Sequence, residues 1–384
     1  MKLMHLSDLH LGKRLNEFSL LEDQCFILQQ LVELVRSEQP DCVLLAGDIY
    51  DKPVPPAEAV TLFDDFLNKL AQLTTVCVTS GNHDSAERLA FGAQLMREGG
   101  VHFCGLYTGE PQCVTLQDAY GSVHIYLLPF LKPAHVRHCL PPEKAEQVTT
   151  YHEALRCAVE RLHINAAERN VLVAHQFVTG AQTAGSEAVN VGGVDNIGAE
   201  VFADFDYTAL GHIHKAQNVG SERVRYSGTP LKYSFAEWQQ EKSVTLVELG
   251  EKGSVSVTAL PLAPLRDLRK LRGSYEELMS KDFYDELPKD SDGLLRDFYH
   301  LTLTDEEDVP DAVQKLRSVY KNLLQLEYDN KRTRTDNAIE GAERVVEKSP
   351  LELMEEFYQL QNNQALSEKQ RAYLQSLLEK EESR

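Results

Sequence analysis

Short apolar runs alternate with longer stretches of helical periodicity through the first 260 or so residues, and this alternation limits the fold more than any other feature of the chain. "KLMHLS" (2–7), "CVLLAG" (42–47), "TVCVTS" (75–80), "VLVAH" (171–175) and "YTALG" (207–211) are apolar on both alternating faces, as strands buried inside a layered structure must be. Between the first two, Leu28, Leu31, Val32 and Val35 follow the i, i+3, i+4, i+7 spacing of an amphipathic helix, and Phe63, Phe66, Leu67 and Leu70 repeat it after Pro56. The stretch 151–170 reads as a further helix feeding the strand at 171. "VHIYLLPF" (123–130), "VRYSG" (224–228), "SVTLVEL" (243–249) and "SVSVTAL" (254–260) add strands to an α/β layered core.

The pattern changes after residue 263. Residues 297–304, 309–320 and 323–328 suggest a strand, a helix and a strand, enough for a small α+β domain over 264–328. Residues 329–348 are polar and charged and read as a linker. The segment 349–384 is expected to hold two helices, one started by Ser349, Pro350 and Glu352 and one by Ser367 with Gln370. Leu351, Met354, Phe357 and Tyr358, then Leu374, Leu377 and Leu378, form apolar stripes along them.

Several function classes are disfavoured at once. No stretch approaches the roughly 18 apolar residues of a membrane span, and Asp8 and His10 interrupt the place where an export signal would continue. The seven cysteines are scattered and contain no Cys-x-x-Cys pair, so a reducing cytoplasm is the expected setting. A net charge of −20 argues against generic adhesion to nucleic acid, while leaving room for local basic patches or bound cations. No phosphate-cradling glycine loop is present, so any ATP dependence must come from a partner.

Polar residues cluster where the apolar runs end. Asp8 and His10 follow the first run, Asp48 and Asp51 the second, Asn82, His83 and Asp84 the third; His175 ends the fourth, and His212 and His214 follow the fifth. Open α/β sheets bind ligands outside the carboxyl ends of their strands, so these segments would converge on one crevice. If the backbone stays extended, Asp8 with His10 and His212 with His214 would each aim two side chains to one side. Carboxylates, imidazoles and an amide suit divalent metals such as Mn, Fe or Zn, and there are more donors than one ion takes. Two ions bridged by a carboxylate are the usual machinery for displacement at phosphorus.

The motifs "DLH" (8–10), "GDIYD" (47–51), "GNHD" (81–84), His175 in "AHQF" and "GHIH" (211–214) resemble the full motif set of the calcineurin-like metallophosphoesterases. With "SDLHLG" and "YSGTPLKYSF" (226–235), the chain is most similar to the SbcD nuclease-subunit family within that group. The resemblance implies a four-layer α/β/β/α sandwich over 1–263, a small DNA-facing cap over 264–328 and a helical partner-binding tail. It implies that Asp8, His10 and His214 hold one divalent ion, Asn82, His175 and His212 the other, and that Asp48 bridges them, with Mn2+ as the expected metal. His83 would stand beside the scissile phosphate, oriented by Asp84. The implied partners are DNA and an SMC-type ATPase of the SbcC kind, in a heterotetramer containing a homodimer. Two rival readings remain on sequence alone: a small-molecule or cyclic-nucleotide phosphodiesterase on the same core, and a non-catalytic scaffold. The extra sequence after 264 weighs against the first, and the complete donor set against the second.

Overall fold

The computed structural model describes residues 1–183, 185, 187, 196–330, 350–362 and 366–382, which separate into one unit spanning Met1–Asp267 and another beginning at Leu268. The first unit is built on two six-stranded sheets. One runs in the order Val255–Pro261, Ser243–Leu249, Lys2–Leu6, Cys42–Ala46, Thr75–Thr79, Val101–Cys104; the last four strands are mutually parallel. The other runs Gln217–Val219, Ser221–Tyr226, Tyr207–Gly211, Arg169–His175, Gly121–Leu127, Cys113–Asp118, with four parallel strands at its centre.

The two sheets face one another across an apolar layer. Leu3, Leu44, Ala46 and Cys77 of the first meet Ile125, Val171, Val173 and Ala209 of the second, all fully buried. A strand covered on both faces has no polar side to show, which is why these runs are continuously apolar. Outside them, helix Leu21–Glu38 packs on helix Ala57–Ala71, which lies against strand Thr75–Thr79. Helix Tyr151–Glu160 buries Ala154, Leu155, Ala158 and Val159 with Leu172, Ala174 and Leu210 on the far side. The layers are therefore α/β/β/α, as the sequence led us to expect.

The helix expected over 151–170 is shorter than its periodicity suggested. It is capped by Thr150 and Glu153 and ends at Glu160; His163 then takes a left-handed φ of 51°. The Asn165 side chain accepts from Ala167 N at 3.1 Å, making a turn that competes with helix and delivers the chain to strand Arg169–His175.

In the second unit, Leu268–Gly273, Phe298–Leu303 and Leu323–Tyr328 form a parallel three-stranded sheet in chain order. The first of these was not visible as a strand because Arg269, Lys270 and Arg272 break its apolar run. The helix expected over 309–320 spans Ala312–Arg317. Leu278, Tyr299, Leu301, Leu303, Leu316 and Tyr320 fill the core. Helices Pro350–Asn362 and Glu368–Glu382 pack on each other. The second starts as anticipated, with Ser367 N donating to Gln370 Oε1 at 2.9 Å and Gln370 N to Ser367 Oγ at 3.4 Å. The start expected at Ser349 and Glu352, and the linker after Asn330, lie outside the described residues. No helix among the described residues is long and apolar enough to cross a membrane.

Candidate metal centre

The candidate ligands sit at or just beyond the ends of parallel strands; His175 closes its strand, but four of the others are not in extended backbone. The first strand stops at Leu6; Asp8 and His10 then take φ of 53° and 44°, Asp48 takes 51° and His212 takes 102°. The expectation that strand alternation would align Asp8 with His10, and His212 with His214, is thus corrected. Left-handed turns aim these side chains instead. Such backbone costs a non-glycine residue on the order of 1–3 kcal/mol and persists only where surrounding contacts hold it. Here those contacts include Asp8 N to Gly47 O at 3.0 Å and His10 N to Asp48 O at 2.9 Å, which knit the first two loops together.

The third loop is tied to the second by Asp84. Its Oδ2 accepts from Gly81 N at 2.9 Å and Ile49 N at 3.1 Å, and its Oδ1 from Tyr50 N at 2.9 Å. Its carboxylate is therefore engaged with backbone and does not orient His83, contrary to the sequence-based expectation. His83 Nδ1 lies 2.9 Å from the Asp51 carbonyl oxygen, and His83 N donates to Asp48 Oδ1 at 2.8 Å. Gly81 matters for proximity rather than for φ: a Cβ there would meet the Asp48 carboxylate, with Cγ only 2.7 Å away.

Around Asp48 the side chains converge. Its Oδ2 lies 3.6 Å from His10 Nε2 and 3.3 Å from His175 Nε2. Asn82 Oδ1 lies 3.1 Å from His175 Nε2 and 2.8 Å from His212 Nδ1. His212 N donates to Asp8 Oδ1 at 3.0 Å. Three groups bring donor atoms within 4.8 Å of one another: Asp8, His10 and His214; Asp8, Asp48 and His175; and His10, Asp48 and His83. The structure therefore brings the side chains of Asp8, His10, Asp48, Asn82, His175, His212 and His214 close to one another. The last group also brings His83 within reach of the same centre, although its ring is partly exposed while most of the others are buried.

The electrostatics fit cations. Burial pushes the Asp8 carboxyl up to about 6, and pushes the His10 imidazole well below its ordinary value. Burial also opposes ionisation of Asp48, but the His175 and His10 rings override it and hold the carboxyl low; Asp48 in turn holds His175 up at about 9 against its own burial. Neither ring nitrogen of His10 has a hydrogen-bond partner among the described residues, although the side chain is 1% exposed. A buried polar atom without a partner costs about 1–3 kcal/mol. Two buried carboxylates, several imidazoles, an amide oxygen and an orphaned ring together make a donor set that divalent ions would complete.

Sequence reading missed Glu237 and Lys242, which lie behind His214, and Phe130, whose ring stacks on His212 at 6.2 Å between centroids. The signal for Glu237 was an acidic residue two positions after the "YSGTPLKYSF" segment, among partly apolar neighbours. Asp51 accepts from Lys13 Nζ at 2.8 Å.

Comparison with known proteins follows the same division of the chain. Residues 1–216 match the family model described as calcineurin-like phosphoesterase, and residues 264–362 match one described as Type 5 capsule protein repressor C-terminal domain, SbcD_C. A curated relative, the SbcD subunit of the SbcCD nuclease from Staphylococcus epidermidis, is 31% identical over 334 residues, 85% of each chain. A dimetal phosphatase from Danio rerio aligns over 68% of this chain and 99% of its own at 13% identity and a TM-score of 0.39. A protein from Thermus thermophilus aligns over 67% and 98% at 12% identity and a TM-score of 0.37. The chain belongs to the calcineurin-like phosphoesterases and, among them, to the family of the SbcD subunit of the SbcCD nuclease.

Proposed function

We propose that this chain is the metal-dependent nuclease component of an SbcCD-type complex and cleaves DNA phosphodiesters at the centre built on Asp48. The observation that carries this reading is one buried carboxylate oxygen lying between two imidazoles, His10 at 3.6 Å and His175 at 3.3 Å, which suits a ligand shared by two ions. Asp8, His10 and His214 would hold one ion, Asn82, His175 and His212 the other, and Asp48 would belong to both. Two divalent ions, with Mn2+ as the proposed native pair, would neutralise charge developing on a phosphate and activate water for in-line attack.

The protein's own part is to hold and to protonate. Asp84 ties the Gly81 turn to the Ile49–Tyr50 turn and so keeps Asp48 and Asn82 in register. A carbonyl only accepts, so the Asp51 contact places a proton on His83 Nδ1; Nε2 would pass a proton to the departing oxygen when the ring is the doubly protonated imidazolium, and the ring would be left as the neutral Nδ1–H tautomer.

The C-terminal helices support the proposed docking on an SbcC-like SMC-type ATPase: Met354, Phe357 and Leu377 are exposed apolar side chains on them, which suits helix-in-groove recognition. A homodimer within a heterotetramer is supported by the exposed Phe91 and Leu95 of the first unit, 83% and 81% accessible, beside an apolar groove of about 540 Å³ lined by Phe63, Leu67, Leu89 and Met96. The proposed location is the cytoplasm.

End-labelled duplex and hairpin DNA, offered with Mn2+ in the presence and absence of the ATPase partner, tests the reading. Metal-dependent shortening of the DNA is expected. Rapid turnover of a small chromogenic phosphodiester with no DNA cleavage under either condition would replace it with a small-molecule phosphodiesterase.

A further inference from the structure

A buried ion pair stands directly behind one of the candidate ligands. Glu237 is 0% exposed; its Oε1 lies 3.3 Å from Nδ1 of His214, and its Oε2 receives Lys242 Nζ at 2.6 Å and the Thr229 hydroxyl at 3.4 Å. The same ammonium donates to the His214 carbonyl at 3.0 Å, to Thr229 Oγ1 at 2.7 Å and to Gln240 Oε1 at 2.8 Å. Both ends of this network thus grip His214, one by its ring and one by its backbone.

Stability alone gives no reason for the pair, since apolar side chains of similar volume are often at least as stabilising as a buried ion pair. What the pair does supply is direction. Lys242 and Thr229 occupy one carboxylate oxygen of Glu237, and the other faces the imidazole. A carboxylate accepts only, so the proton of a neutral His214 sits on Nδ1 and the lone pair on Nε2. Other rings of the centre are held differently: Nδ1 of His175 rests on the Ala46 carbonyl at 2.8 Å and Nδ1 of His83 on the Asp51 carbonyl at 2.9 Å. A full negative charge behind an imidazole makes it a stronger donor than a neutral carbonyl does.

We infer that Glu237, braced by Lys242, is a positioning residue that sets the Nδ1–H tautomer and ring plane of His214, presenting Nε2 to the ion shared with Asp8 and His10. The inference rests on the ligand assignment proposed above. Long-range proton–nitrogen NMR correlations on the full-length chain with ¹⁵N-labelled histidine report each tautomer directly, and calorimetric titration with Mn2+ reports each site. The wild-type chain is expected to show His214 as Nδ1–H and to bind two ions. Glu237→Ala is expected to mix the tautomers and weaken one site about 10- to 100-fold, leaving the other unchanged. Glu237→Gln, whose amide oxygen still accepts from Nδ1–H, is expected to keep the tautomer and recover part of that affinity.

A wild-type chain that binds no pair of ions would overturn the ligand assignment and this inference together. Two ions bound by the wild type and bound equally well by Glu237→Ala would overturn the inference alone. So would a wild-type His214 protonated on Nε2, a result that does not depend on any variant folding.

Discussion

The buried acid of the second unit and the two at the metal centre of the first are balanced in different ways. In the second unit the buried acid Asp297 is matched by the guanidinium groups of Arg269 and Arg296, beside a core of aromatic and aliphatic side chains. In the first unit Asp8 and Asp48 are buried as deeply, yet their neighbours are imidazoles, one of which, His10, lacks any hydrogen-bond partner among the described residues. The first arrangement is complete within the protein. In the second, burial drives the Asp8 carboxyl up to about 6, more than the His175 and His214 rings pull it down. Buried charge left unbalanced is costly, so it persists where something outside the chain supplies the balance.

The largest expected effect comes from removing the shared carboxylate. Asp48→Ala should lower DNA cleavage by more than about 10³-fold and release both ions, because its Oδ2 is the oxygen that lies 3.6 Å from His10 Nε2 and 3.3 Å from His175 Nε2. Metal content of the purified variant checks this; two tightly bound ions with retained activity would remove Asp48 from the bridge. His83→Gln should keep both ions and lower single-turnover cleavage about 10²- to 10⁴-fold, the range of a positioned proton donor. Loss of an ion from that variant would instead make His83 a ligand, the role its proximity to His10 and Asp48 also allows.

The contrast sharpens in the second unit, where only packing is at stake. Leu316→Ala should destabilise that unit by about 2–5 kcal/mol through the cavity it leaves, while Mn2+ affinity at the first unit stays at the wild-type value. Differential scanning calorimetry with and without Mn2+ separates the two; a parallel loss of metal affinity would show that the units are not energetically distinct. The smallest effect on chemistry is expected from ending the chain after Tyr328. Mn-dependent nuclease activity should remain while co-purification with the ATPase partner is lost. Normal association by the shortened chain, or its outright unfolding, would return the tail to the structural core.

Much of the first unit was legible because its physics is local. Strands covered on both faces must be apolar throughout, and helices between them must show a stripe, so "CVLLAG" and the Leu28–Val35 spacing declare themselves. Strand Leu268–Gly273 was not legible: three of its six residues are basic, and only pairing with Phe298–Leu303 makes it a strand.

The same boundary runs through the metal centre. The amino-acid sequence alone determined which residue types gather at the strand ends, because donor chemistry allows few substitutes for Asp, His and Asn. Tertiary structure decided how they are aimed and by what. Asp8, His10, Asp48 and His212 point inward through left-handed backbone that the residue pattern does not announce: Asp and His enter that region more readily than most non-glycine residues, but still in only a small minority of positions. Asp84 serves the backbone amides of Ile49 and Tyr50, 35 and 34 positions away, and of its own turn rather than its neighbour His83, and Glu237 reaches His214 across 23 residues of chain. Hydrogen bonds of that kind depend on distance in space, which the order of residues along the chain does not encode.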